Sequence, residues 1–352
     1  MTHEQLRQVE ASRAFEATRR FEELALYHVP FDQLNGDDRT ESTLARLVGA
    51  GGRVAIIGPS GSGKSSIIAS VFGPFSEDLP VDIVPLRIPV AATQDTTVTE
   101  PGELARHIVR YVTRWASRER FSTTEQEGFE RGLAESTRRS AGGRSRVFQI
   151  GLPLWLVSAE FSRQVQSTGE EYEFHGSSTD AIEHLKRLVE LFAAHSLRPA
   201  LAFDDSDTWL RIPGLDRTEV ANSFFTRGLG MLSREVDVSV VVAVHEEYLT
   251  LPGYVRGSQL LSGEVRVPRL IDAVDGIGTI LRDRLVISEL SFALDEILEQ
   301  DAILALAKHY ESGRSMRDVL RVAQRALQHG VSDGVDRIAV PIVDQASTEL
   351  SS

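Results

Sequence analysis

Residues 58–65 carry the pattern that most restricts how this chain can fold. They read Gly-Pro-Ser-Gly-Ser-Gly-Lys-Ser, directly after the apolar run 54–57 and at the start of the helix-like segment 65–72. A glycine-rich loop between a strand and a helix lets successive backbone N–H groups turn toward one anion at the positive end of the helix. The order therefore predicts a strand, a phosphate-binding P-loop and a helix, and with them an α/β fold.

Two side chains of this loop predict the kind of ligand. Lys64 is expected to reach the β- and γ-phosphates, and the Ser65 hydroxyl is expected to join a Mg²⁺ shell. The predicted ligand is ATP, bound together with Mg²⁺. The residues expected to bind the nucleotide are Gly58, Pro59, Ser60, Gly61, Ser62, Gly63, Lys64, Ser65 and Ser66.

Composition excludes several classes of protein. The chain has 352 residues, 41% of them hydrophobic, which is enough for a substantial core in one large domain or two. Its apolar runs are all well short of the roughly 20 residues that span a bilayer, and its N-terminus lacks the apolar stretch of a signal peptide. We therefore expect no membrane partner and a cytoplasmic location. The absence of cysteine excludes disulfides and thiolate metal sites.

A second strand that ends in carboxylates lies far downstream. Residues 199–203 are apolar and lead into Asp204 and Asp205, as expected of a buried parallel strand whose carboxyl end opens toward a ligand. This segment looks like a Walker B strand. Asp204 is expected to orient Mg²⁺, usually through water, and Asp205 to polarise the attacking water. The alternative is an Asp-rich turn that follows an ordinary strand.

A third apolar strand, 238–244, is followed by His245. With this strand the chain resembles the AAA+ ATPases, in particular their Orc/Cdc6-like and transposition-type branch. The resemblance implies a P-loop NTPase core, a parallel sheet flanked by helices, with a helical lid at its C-terminal end. It also implies that His245 is the sensor 1 residue, where the family usually has Asn, Thr or Ser. The alternative is a histidine that merely ends a strand.

The C-terminal third supports the same resemblance. Residues 312–323 are similar to the family's sensor 2 helix, whose arginine reaches over the γ-phosphate. Arg317 is the better match, and Arg314 is the alternative because the family's interval from glycine to arginine is commonly one residue shorter. A solvated arginine near a helix start is the other interpretation. Helical periodicity predicts lid helices at 301–310, 315–329 and 341–350.

The resemblance further implies an arginine finger supplied by a neighbouring subunit, and hence a homo-oligomer. The family places this residue between sensor 1 and the last core strand, and Arg256 is the only arginine within 246–263. Such a finger stabilises charge on the transferring phosphoryl group and speeds hydrolysis by roughly 10³-fold or more. Arg282 and Arg284 resemble the entry to the lid and are expected to be structural.

The resemblance divides the chain into three parts and an insertion. Residues 13–27 have the pattern of an amphipathic helix, and residues 38–41 look like the family's short element ahead of the P-loop. We expect no C-terminal winged helix, because the chain ends soon after the lid. The expected parts are an N-terminal helical extension at 1–34, a nucleotide-binding core at 35–285 and a lid at 286–352, with an insertion at about 101–180 between the second strand and the Walker B strand.

The insertion contains a row of arginines in a chain whose net charge is −13. Four-residue spacing places them along one face of a predicted helix, with Leu104, Ile108 and Val112 on another face. Such a row can follow the phosphates of DNA, and a solvated helix face is the alternative. Residues 140–178 are the second candidate contact for a DNA or protein partner. The row consists of Arg106, Arg110, Arg114 and Arg118.

Three classes of function fit these motifs. The first is an AAA+ ATPase that couples its nucleotide state to oligomeric assembly on, or remodelling of, a DNA or protein partner. The second is a STAND-like signalling switch that holds ADP until it is triggered; the paired aspartates favour it, and the missing appended domain disfavours it. The third is a small-molecule kinase, which the C-terminal lid and the distant paired carboxylates disfavour.

Overall fold

The computed structural model describes residues 3–36, 38–73, 76, 78–90, 98–113, 180–206 and 217–351. The predictions for Arg114, Arg118 and residues 140–178 fall outside these described residues.

The described part of the chain contains a parallel sheet of five strands. They are β1 (Arg53–Ile57), β2 (Ile83–Pro89), β3 (Arg198–Asp204), β4 (Ser239–Val244) and β5 (Gly263–Arg266). Their order across the sheet is β2-β3-β4-β1-β5. The apolar runs predicted as strands before the P-loop and before Asp204 are β1 and β3. Every residue after the first in each strand is buried, as expected of a parallel strand that is covered on both faces. The prediction of an α/β parallel sheet flanked by helices is confirmed.

Helices occupy most of the remaining described chain. After the helix Arg217–Ser223 the chain stays helical to Val236, through π-helical turns at Phe224–Gly228 and Leu232–Val236. The helices are α1 (His3–Ser12), α2 (Phe21–Leu26), α3 (Phe31–Asn35), α4 (Thr40–Gly49), α5 (Lys64–Phe72), α6 (101–113), α7 (Ala181–Ala194), α8 (Arg217–Ser223), α9 (Pro252–Gly257), α10 (Ala273–Ile287), α11 (Leu294–Ile297), α12 (Gln300–Glu311), α13 (Met316–Asp333) and α14 (Val340–Ser351).

The prediction of one helix over 13–27 is wrong. Helix α1 ends at Ser12 and α2 begins only at Phe21. Arg13 has a left-handed backbone, with φ of 58°, so a helix cannot begin at this residue, and residues 14–20 are also non-helical. The apolar residue Phe15, whose spacing suggested a helix face, is buried from an irregular segment instead.

Residue contacts divide the chain into two compact units. The first consists of residues 1–44, 56–71 and 265–352. Its core joins the C-terminal helices to the N-terminal helix, because Leu6 and Val9 of α1 are buried in the same cluster as residues of α10 and α12–α14. The helices predicted at 301–310, 315–329 and 341–350 are confirmed as α12, α13 and α14. Their role as a lid stays a prediction.

The second unit consists of residues 45–55 and 72–264. Strands β2, β3 and β4 pair in parallel within it, and the register sets Arg87 opposite Ala202 and Pro89 opposite Asp204. Leu104, Ile108 and Val112 of α6 are buried, which confirms the predicted apolar face of that helix.

Helix α9 packs very closely on the first π-helical turn of this second unit. A Cβ atom added to Gly257 would lie 2.6 Å from the backbone oxygen of Phe225, and one added to Gly253 would lie 2.3 Å from the Asn222 Cα. Only glycine permits so close an approach of two helices. The result is a fixed α9 whose opposite face exposes Val255 and Arg256.

Candidate nucleotide site

The P-loop has the backbone conformation that its glycines allow. Gly61 and Gly63 have φ values of 77° and 111°, in the left-handed region that favours glycine. Lys64 is 5% exposed. Its Nζ donates to the backbone oxygens of Gly58, at 2.7 Å, and Pro59, at 2.9 Å. The ammonium group therefore lies within the curve of the loop that precedes it.

The first turn of α13 rests directly on this loop. The backbone N–H of Arg317 donates to the Gly61 oxygen at 3.2 Å. A Cβ atom on Gly61 would lie 2.5 Å from Ser315 Oγ and 2.8 Å from Arg317 Cβ. The structure therefore brings Arg317, the predicted sensor 2 residue, to the P-loop, whereas Arg314 is exposed.

The N-terminus of α13 is strongly specified by its own sequence. Ser315 accepts from the backbone N–H of Asp318, and the Asp318 side chain accepts from the backbone N–H of Ser315, which completes a capping box. Gly334, with φ of 69°, ends the helix in the left-handed conformation. Local capping thus fixes the point at which α13 meets Gly61.

Polar side chains from three segments of the first unit also meet at Ser66, in the first turn of α5. His28 Nδ1 is 2.9 Å from Ser66 Oγ, and His28 Nε2 is 2.7 Å from Glu41 Oε1. Ser66 was predicted to bind the nucleotide, but no sequence pattern pointed to His28 as its neighbour.

In the second unit, Asp204 and Asp205 share one arginine. Arg87 Nη2 lies 3.2 Å from Asp204 Oδ2 and 2.8 Å from Asp205 Oδ2. The Asp204 side chain is 1% exposed and that of Asp205 is 42% exposed. Sequence reasoning missed Arg87, because a single arginine within a strand carries no motif.

Asp205 also has an unusual backbone. Its φ is 65°, a left-handed value that costs a residue with a Cβ on the order of 1 kcal/mol and that Asp tolerates better than most. The next residue fixes the position of this turn: Ser206 donates its hydroxyl to Ala243 O, and Tyr248 donates to Ser206 O at 2.9 Å. The two strand ends are thus joined beyond Asp205.

His245 lies directly after β4, as predicted, and caps the 3-10 turn Glu246–Thr250. Its Nδ1 accepts from the backbone N–H of Glu247 at 3.2 Å. In a neutral ring with this acceptor, Nε2 carries the hydrogen and is the donor. The histidine therefore has a structural role as a cap. Its Nε2–H is not used in this capping contact.

The other predicted arginines lie at three different places. Arg256 is exposed on α9. Arg106 forms an ion pair with Glu103 at 2.8 Å, whereas Arg110 is exposed on α6. The buried Arg284 donates to Glu16 O at 2.7 Å, and burial, with the neighbouring Arg19, lowers its pKa to about 10. These are the contacts of a structural residue.

Two kinds of feature are absent from the described residues. None of the described helices is long and apolar enough to cross a membrane. The same residues contain no group of three or more His, Asp or Glu side chains arranged to hold a metal ion. Mg²⁺ does not require such a group, because it usually keeps several waters and takes one or two carboxylates. The buried carboxylate of Asp204 and the Ser65 hydroxyl are oxygen donors of the kind that this ion prefers.

Comparison with known proteins identifies the fold. No protein-family model matches the chain, and no curated protein matches it. The solved structure of Aeropyrum pernix ORC2 described as ADPNP-ADP complexes is 16% identical, covers 96% of this chain and 71% of its own, and has a TM-score of 0.50. The ADP form of the same protein is 13% identical, covers 92% and 72%, and has a TM-score of 0.47. The first of these two likenesses shows that the chain has an Orc/Cdc6-like AAA+ fold.

Proposed function

We propose that this chain binds ATP with Mg²⁺ at residues 58–66, hydrolyses it, and uses the change of nucleotide state to control assembly on, or remodelling of, a DNA or protein partner. The observation that carries the proposal is the contact between α13 and Gly61, because it joins a P-loop to a lid helix in a fold of the AAA+ type. The similar ORC2 structure, described as ADPNP-ADP complexes, supports an adenine nucleotide as the ligand.

The P-loop supplies the phosphate contacts in this proposal. Its backbone N–H groups surround the phosphates, and Lys64 exchanges neutral carbonyl acceptors at Gly58 and Pro59 for charged phosphate oxygens. Hydrogen bonds between two charged groups are roughly twice as strong as neutral ones, so the exchange favours the bound state. Ser65 and Asp204 hold the Mg²⁺, which neutralises charge on the β- and γ-phosphates when bound.

Asp205 is the proposed group that polarises the attacking water. Its Oδ2 accepts from Arg87 at 2.8 Å. A carboxylate has two oxygens with about four acceptor sites, so Asp205 can accept from a water while it contacts Arg87. We interpret the Arg87 contact as the resting arrangement of the two carboxylates.

The remaining roles follow the family resemblance. Arg317 acts as sensor 2, His245 as sensor 1 through Nε2–H, and Arg256 as the arginine finger of a homo-oligomer. The exposed Arg110 and the rest of its row, or residues 140–178, contact the DNA or protein partner. A cytoplasmic location and the three-part domain division remain part of this proposal.

The test of ATP hydrolysis is Asp205→Asn. This variant is expected to bind ATP as the wild type does. Its phosphate release should be at least about 10²-fold slower, since a positioned base contributes about 10²–10⁴-fold. Phosphate release without any added acceptor also separates an ATPase from a kinase. The matched control is Asp237→Asn, which changes another aspartate with a left-handed backbone, φ 56°, on the surface. Normal turnover by Asp205→Asn would show that the assignment of Asp205 is wrong.

A further inference from the structure

The most informative group outside the predicted motifs is the cluster of His28, Glu41 and Ser66. His28 lies between α2 and α3, Glu41 in the first turn of α4 and Ser66 in the first turn of α5. The side chains of His28 and Glu41 are 5% and 9% exposed. Glu41 Oε1 also accepts from the backbone N–H of Phe31 at 3.2 Å. The carboxylate thus holds the imidazole and the chain that follows it.

The geometry assigns the hydrogens within this cluster. A carboxylate oxygen that already accepts from Phe31 N is an acceptor toward His28, so the imidazole Nε2 carries the hydrogen and donates to Glu41. In the neutral ring, Nδ1 then has a lone pair, and the Ser66 hydroxyl donates to it at 2.9 Å. The Ser66 hydroxyl is therefore held in one rotamer with its hydrogen directed at His28.

Ser66 is close in sequence to the groups that define the P-loop. It follows the Lys64-Ser65 pair and lies in the first turn of α5, which begins at Lys64. In P-loop proteins the first turn of this helix faces the phosphates with its backbone N–H groups. Because the Ser66 hydroxyl donates to His28, it contributes by holding this turn, so that the backbone N–H groups of the turn need no ordering when a nucleotide binds.

We propose that His28, held by Glu41, is a positioning residue for Ser66, and that its hydrogen bond with the Ser66 hydroxyl increases the affinity of the P-loop for nucleotide. The inference rests on the proposed nucleotide binding. It connects the segment 28–41 to the occupancy of the P-loop, through one hydrogen bond to a residue of α5. A purely structural role for His28 would instead hold α4 and the chain near Phe31 in place through Glu41.

Two substitutions separate these roles, because the amides of Gln and Asn occupy the places of different ring nitrogens. His28→Gln places its amide near the position of Nε2, so it keeps the Glu41 contact and loses Ser66. His28→Asn places its amide near the position of Nδ1, so it keeps Ser66 and loses Glu41. Ser66→Ala removes the hydroxyl itself, at a residue whose small size makes misfolding a minor concern.

The experiment is a double-mutant cycle, measured by titration with a fluorescent ADP. We expect His28→Gln and Ser66→Ala each to weaken binding about fivefold, the value of one ordinary hydrogen bond. We expect the double variant to bind no more weakly than Ser66→Ala alone, and His28→Asn to bind within about twofold of the wild type. Thermal unfolding without nucleotide checks that each variant is folded.

Three results would overturn the inference while leaving the proposed function intact. They are wild-type affinity in His28→Gln, multiplied losses in the double variant, and equal losses in His28→Asn and His28→Gln. Absence of nucleotide binding in the folded wild-type chain would instead refute the proposed function, and this inference with it.

Discussion

Arg87 joins two carboxylates that lie in very different surroundings. Asp204 is almost fully buried, and Asp205 is nearly half exposed with a left-handed backbone. Burying a carboxylate is costly unless a positive or hydrogen-bonding partner compensates. The guanidinium contributes this compensation to Asp204, and its second contact holds Asp205 in the orientation seen here. A single residue of β2 thus contacts both the proposed Mg²⁺ ligand, Asp204, and the proposed water-polarising carboxylate, Asp205.

This arrangement predicts a large stability loss for Arg87→Ala. Removing the guanidinium from a buried carboxylate is expected to lower the free energy of unfolding by about 1–3 kcal/mol. Denaturant unfolding of the variant beside the wild type measures the change. The matched control is Arg198→Ala on β3, since Arg198 pairs with the exposed Asp82 at 2.6 Å, and an exposed pair contributes at most about 1 kcal/mol. Equal losses in the two variants would contradict this view of Arg87.

At the residue scale, the sequence predicts contacts within motifs and misses contacts between them. The P-loop residues and the two aspartates are recognisable because their chemistry requires a fixed spacing. Arg87 reaches Asp205 across 118 positions, and His28 reaches Ser66 across 38. Such pairs depend on strand register and on the path of the N-terminal chain, neither of which leaves a local pattern.

At the scale of elements, regular periodicity and capping made helices predictable, and irregular backbone did not. Helix α13 is an example, with apolar residues at helical spacing and a capping box at its start. The segment 13–20 is the counterexample. It belongs to the predicted helix 13–27, but it begins with a left-handed Arg13 and is non-helical throughout. The sensor 2 resemblance places the start of α13 near the phosphates, but the periodicity of its sequence does not indicate that its first turn contacts Gly61.

The packing of the lid helices predicts a dependence of stability on pH. Burial and the charge of Arg314 lower the pKa of His309 on α12 below its ordinary value of 6.5. The imidazole of His309 therefore binds a proton more readily in the unfolded chain than in the folded one. The stability that comes from neutral His309 is complete above pH 6.5 and is lost as the pH falls toward the pKa of the folded state. We expect wild-type stability to decrease over the pH interval just below 6.5.

The variant His309→Asn isolates this effect. Asn does not titrate and keeps a polar atom near the position of Nδ1, which lies 3.2 Å from Ser347 Oγ. Its stability should change less over the same pH interval, measured by denaturant unfolding at each pH. Glu349 does not interfere, because Arg325 lowers the pKa of that carboxyl below 4.5, outside the interval. Identical pH slopes for variant and wild type would contradict the prediction.

At the scale of the whole molecule, the proposal requires that one chain complete the site of another. Arg256 is exposed on a helix that two glycines hold close to its neighbour. If it acts in trans, Arg256→Ala should reduce phosphate release by about 10³-fold. Mixing it with the inactive Asp205→Asn should restore activity, because each variant supplies the group that the other lacks. A mixture no more active than its separate components would exclude a trans role.

The fold as a whole was more predictable than the use of its site. The order of strand, P-loop and helix, the aspartate-bearing strand and the C-terminal helices together specify the α/β architecture that the structure contains. The partner was not predictable, because part of the arginine row and residues 140–178 carry no motif of known chemistry. Arg106, paired with Glu103, shows that spacing alone does not establish a phosphate-binding face.

The central claim is that the P-loop binds ATP, and calorimetric titration of ATP and Mg²⁺ into wild-type protein and Lys64→Ala tests it most directly. Lys186→Ala is the control, because it removes a lysine that pairs with Glu183 on the surface. We expect wild-type affinity for Lys186→Ala and a loss of about a hundredfold for Lys64→Ala, because a charged contact to phosphate is removed. Equal ATP affinity in folded Lys64→Ala and wild type, or no binding by the wild type, would contradict the claim.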